Sequence, residues 1–174
     1  KRVLFDRAIA TLSWTLPSHS SMFIGHLPNE LSVDWTVPLD STYSTLAEVL
    51  GAHGYVTAGF VANYLFCSRN HGLDRGFIHY EDFPMSLGQL ILSSSLGGFI
   101  TNNSWLRSIT GYHKALNHKT AATINSDFLS WLARHNGRPF FAFLNYFDAH
   151  EIYLPPSPFD VQFGPKRPRG PFVY

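Results

Sequence analysis

The chain has 174 residues, enough for one core of ordinary domain size and too few for two. Charged residues make up only 14% and aromatics 16%, so much of the chain is expected to be interior. A formal net charge of +1 with no basic stripe argues against nucleic acid as a partner, and the single Cys67 excludes an intramolecular disulfide and leaves the compartment undecided.

In chain order, Lys1–Phe5 carries neither the long apolar core nor the cleavage site of a signal peptide, and the true N-terminus is expected upstream. The first predicted helix follows Thr15-Leu16-Pro17-Ser18, with Pro17 suiting its opening turn and Gly25 its stop. Thr45 and Glu48 have capping-box spacing, which predicts a second helix ending near Gly51 or Gly54 and feeding a strand over 56–62. Leu87–Ile100 is apolar but interrupted by glycines and serines, too short and polar to span a bilayer. A helix is predicted within 116–136 from the spacing of Ala121, Ile124, Phe128, Leu129 and Leu132, with Asn136-Gly137 as its stop. The run 140–147 is apolar almost throughout, the pattern of a central parallel strand covered on both faces. Basic residues near Lys166 sit among prolines and read as a solvated loop, with no function assigned. Alternating apolar runs and helical patterns predict an α/β fold over a largely parallel sheet.

Ligands in open parallel sheets bind beyond the carboxyl ends of the strands, which singles out Asp148 and His150 after the 140–147 run. Thr15 joins a hydroxyl to a helix start whose free N–H groups attract sulfate or phosphate oxygens; the alternative is a plain N-terminal cap. By itself, His150 reads as a loop histidine anchored by Asp148. By itself, His19 reads as a helix-surface histidine without a role. Asn63 either donates through its amide or shapes the turn after its strand. The nine histidines offer no i, i+4 pair of the zinc-binding kind, counting His19 with His26 and His113 with His118. Glu81-Asp82 reads as a solvated pair on an irregular segment. Ser18 lacks the Gly-x-Ser-x-Gly elbow of serine hydrolases.

The segment from Trp14 through Thr15-Leu16-Pro17-Ser18-His19 to Gly25 and Pro28 resembles the sulfatase signature of the alkaline phosphatase superfamily. The resemblance continues through Thr45–Leu50, Gly54–Thr57, Gly72–Phe77 and Phe143–His150, covering most of the chain. It implies a three-layer α/β/α catalytic domain and a metal-dependent sulfuric ester hydrolase. In that pattern Thr15 is nucleophile and metal ligand, His150 contacts the ester or protonates the leaving group, and Ser18, His19, Asn63 and Asp148 bind substrate. The cation would be Ca2+, with Zn2+, Mn2+ or Mg2+ as alternatives. Its acidic ligands are expected before Lys1 and after Tyr174, so the chain by itself is expected to be a partial, inactive domain. Three departures stand out. Thr15 replaces the cysteine that becomes formylglycine, His19 replaces an arginine, and Gly59–Asn63 lacks the usual lysine. A threonine fits a phosphoesterase or a phosphoglycerol or phosphoethanolamine transferase as well, and the lost cations fit a non-catalytic relative. The expected partner is a small-molecule or glycan ester of sulfate or phosphate.

Overall fold

The computed structural model of the chain describes residues 4, 6–82, 119–135, 137–148, 150, 159–162 and 164. These form an α/β unit with a three-stranded, all-parallel open sheet, as the alternation of apolar runs predicted. In chain order the elements are α1 (Thr15–Ile24), α2 (Leu46–Ala52), β1 (Val56–Val61), α3 (Tyr64–Cys67), β2 (His79–Glu81), α4 (Ala121–Arg134) and β3 (Phe140–Asn145). Short 3-10 turns cover Pro28–Glu30, Arg69–His71 and Phe159–Val161.

The strand order is β2-β1-β3, so β1 is central and buried along its whole length. This corrects the expectation for 140–147: β3 has one strand neighbour among the described residues and is only partly buried, with Phe140 40% exposed. Composition alone does not set lateral position. Alternation does assign the faces. Val56, Ala58 and Phe60 pack with Ile124 and Trp131 of α4, while Val61 packs on the other face with Leu16 and Phe23 of α1. Helices on both faces of the sheet give three layers.

Local chemistry explains the helix ends. The Thr45 side chain accepts the Glu48 amide at 3.1 Å and the Glu48 carboxylate accepts the Thr45 amide at 2.7 Å, completing the predicted capping box. Thr45 also donates to the Arg75 carbonyl, and Arg75 pairs with Glu48 at 2.9 Å, tying α2 to the turn before β2. That turn passes so close to α2 that a Cβ on Gly76 would collide with the backbone of Ala47 and Glu48, and its φ of 82° disfavours any other residue. Helix α1 stops where predicted, at Gly25 with φ 81°, whose N–H caps the Ser21 carbonyl at 2.8 Å. Helix α4 starts at a Thr120 side-chain cap and ends at His135. The part of its predicted range before Lys119, along with the segments 87–100 and 166–169 and the pair His113 and His118, lies outside the described residues. No helix among the described residues is long and apolar enough to cross a membrane.

Candidate functional site at the carboxyl end of the sheet

The direction of α1 decides what its N-terminus can reach. His19 meets Phe143 of β3 edge-on at 5.7 Å between ring centroids. One turn later, Phe23 meets both Phe143, at 4.8 Å, and Phe77, which stacks on Phe141. The helix therefore runs from the carboxyl end of β3 toward its start. Its first residues lie over the carboxyl end of the sheet, where open α/β sheets bind ligands.

Thr15 is the first helical residue, and the cap position belongs to Trp14, which makes no side-chain cap bond. The plain-cap alternative for Thr15 is thereby set aside. The residue is half-buried, and its hydroxyl has no hydrogen-bond partner among the described residues. The Trp14 ring packs against Trp35 at 5.7 Å, and both indoles are about half exposed beside this helix start.

His19 Nδ1 lies 2.7 Å from the Thr15 carbonyl. A carbonyl only accepts, so Nδ1 carries the proton. Burial lowers the His19 pKa, against the opposing pull of that carbonyl. A neutral ring donating through Nδ1 leaves Nε2 as an acceptor, which favours a helix-bracing role over donation to an anionic ester. Ser18 and His19 share a groove of about 590 Å³ between α1 and residues 9–11, which Met22 and His26 also line. Thr15, Asn63, Asp148 and His150 do not line it.

Asn63 follows β1 and is buried. Its side-chain oxygen accepts the Phe66 amide at 3.4 Å, capping the short α3, and its own amide donates to Asn145 Oδ1 at 2.9 Å. This is the turn-shaping alternative. Asp148 Oδ2 accepts the Ala121 amide at 2.8 Å, so it holds the start of α4 and does not anchor His150. The exposed His150 instead stacks on Phe147, with centroids 4.3 Å apart and planes 9° from parallel. The structure thus gathers Thr15, Asn63, Asp148 and His150 at one end of the sheet, yet no hydrogen bond or ring contact among the described residues joins Thr15 to the other three.

Two features were missed in the sequence. Glu81 and Asp82 are not a solvated pair: Glu81 ends β2 half-buried, and Asp82 is 1% exposed, accepting from the Arg69 amide at 2.9 Å and Nε at 3.3 Å. Lys119 is buried between Glu81, at 2.6 Å, and Asp127, at 3.2 Å. Burial and then the neighbouring Glu81 carboxylate raise the Asp127 pKa. The signal that could have found this cluster is the pair Lys119 and Asp127, eight residues apart across the start of a helix.

Among the described residues no three His, Cys, Asp or Glu side chains gather so as to hold a metal ion. A lone hydroxyl does not make an oxygen-ligand cation site, so these residues do not fit a metal by themselves. Compared with known proteins, the chain matches no family model and no curated sequence.

Proposed function

We propose that the chain carries the nucleophile-bearing part of a sulfuric ester hydrolase, with Thr15 as nucleophile and His150 as proton donor to the leaving group. The observation that carries the reading is the hydroxyl of half-buried Thr15, unpartnered among the described residues, at the first position of a helix that opens onto the carboxyl end of a parallel sheet. The resemblance of Trp14–Pro28 to the sulfatase signature adds to it.

In the proposed reaction Thr15 Oγ1 attacks sulfur, its proton passes to a base, and the bond from sulfur to the alcohol oxygen breaks. The leaving oxygen takes a proton from His150, and water then hydrolyses the threonine ester. The resemblance also implies a divalent cation, Ca2+ first, for which Thr15 by itself is too small a ligand set, and the steps above do not depend on it. One observation favours a second reading. Thr15 cannot become the hydrated aldehyde of formylglycine, and an intact hydroxyl suits phosphoryl transfer to water or to a second alcohol equally well.

The test is hydrolysis of 4-nitrophenyl sulfate and 4-nitrophenyl phosphate by the full-length protein over a panel of divalent cations, comparing wild type with Thr15→Ala. Turnover abolished in Thr15→Ala, with an unchanged unfolding midpoint, is the expected result. The preferred ester chooses between the two readings, and turnover indifferent to Thr15→Ala defeats both.

A further inference from the structure

We infer that the side-chain amide of Asn145 donates a hydrogen bond to the ester oxygens held at Thr15. This rests on the reading of Thr15 as nucleophile and adds a residue that neither the motif nor the resemblance assigns.

Asn145 is the last residue of β3 and pairs with Val61 of β1. Paired residues of parallel strands share a face, and Val61 belongs to the core under α1. Phe143, two residues earlier, faces the same way and touches His19. From His19 back to Thr15 is one helical turn on one helix face, a rise of about 6 Å. From Phe143 forward to Asn145 is about 6.6 Å along the strand. Because α1 runs opposite to β3, both steps go in the same direction, and they bring Thr15 and Asn145 to the same end of the sheet.

Chemistry fixes which end of the amide is available. Asn145 Oδ1 accepts the Asn63 backbone N–H at 2.9 Å, and an N–H requires an oxygen there. The N–H2 group is therefore the opposite pole. No described residue takes it. The Asn145 backbone carbonyl is also engaged, by the Ala62 amide at 3.1 Å, so the side chain hangs from a fixed strand end. A preset, neutral donor beside the nucleophile is the kind of group that stabilises charge building on ester oxygens. It also compensates in part for an arginine and a lysine that the resemblance would place here and that this chain lacks.

Asn145→Asp separates this role from a structural one. The aspartate keeps an oxygen for the Asn63 N–H and puts a carboxylate oxygen where the donors were. The proposal expects kcat/KM of full-length Asn145→Asp for the preferred 4-nitrophenyl ester to fall about a hundredfold. Its unfolding midpoint should stay within about 2 °C of wild type. Asn145→Ala, which loses the strand-end bond, is the structural control and should lower the midpoint. If Thr15→Ala abolishes turnover while Asn145→Asp keeps wild-type kcat/KM, the inference is overturned and the nucleophile stands. If no ester turns over, the functional reading fails, and titration with inorganic phosphate, followed at the Asn145 side-chain N–H2 resonance, decides the inference by itself. Movement of that resonance upholds the anion contact without a hydrolase; a stationary resonance overturns it.

Discussion

On the α4 face, the residues that finish the sheet are charged and consume one another, with Lys119 held by Glu81 and Asp127 and Glu81 reaching His79 at 3.4 Å. On the α1 face, the same end carries a hydroxyl and an amide, uncharged, each with polar capacity left over among the described residues: Thr15 and Asn145. Satisfied charges hold a structure together, whereas unsatisfied neutral donors in a partly dry site are the groups that can greet a ligand. The contrast is between a face whose polar groups are spent on one another and a face where two polar groups keep capacity to spare.

The largest effect should come from breaking the charged side. Lys119→Met leaves two carboxylates facing each other without their cation, and urea unfolding should show a loss of about 3 kcal/mol. That is the lower end of the range for a broken buried pair, because Glu81 and Asp127 keep 32% and 26% side-chain exposure and so some solvent screening. Turnover measured below the unfolding transition should be untouched. A Lys119→Met protein that unfolds like wild type would show that the cluster is solvated and would remove half of the comparison.

Smaller is the effect at the other helix of the α1 face. Thr45→Ala removes the cap from α2 and the bond to the Arg75 carbonyl, and should cost about 1 kcal/mol by the same measurement. Smallest is a slope. His19 has its pKa depressed below the ordinary 6.5, so the unfolded chain takes the proton first as pH falls. Its contribution is whole above 6.5 and is lost as pH drops through the depressed folded value. Stability of wild type should decline relative to His19→Gln across that window, and parallel curves would mean the ring is as well hydrated folded as unfolded.

The elements whose signals are local were legible. Thr45 with Glu48 announced α2, Gly25 announced the end of α1, and the spacing of Ile124 and Phe128 announced α4. Lateral order was not legible. The run Phe140–Asn145 is more apolar than Val56–Val61, yet the latter is the buried centre, because it has strands on both sides and Gly59 leaves room for the Tyr80 ring. Partnerships across long separations were equally hidden. Asp148, singled out for its place beyond a strand end, holds the start of α4, 27 residues away, a partnership that no local pattern announces. In the candidate site, Thr15 could be singled out from a hydroxyl beside a helix start, whereas Asn145 could not. A lone amide in an apolar strand gains meaning only once the helix above it is known to run the opposite way.

The two indoles beside Thr15 give the protein a built-in optical reporter. Trp14 is bonded to Thr15 through the chain and lies 5.7 Å from Trp35 at a 35° tilt, close and skewed enough for their electronic transitions to couple. Such a coupled pair yields a paired positive and negative band in circular dichroism whose size follows the angle between the rings. Any molecule that seats on Thr15 and turns Trp14 by a few degrees writes its arrival into that spectrum, without a label and without turnover.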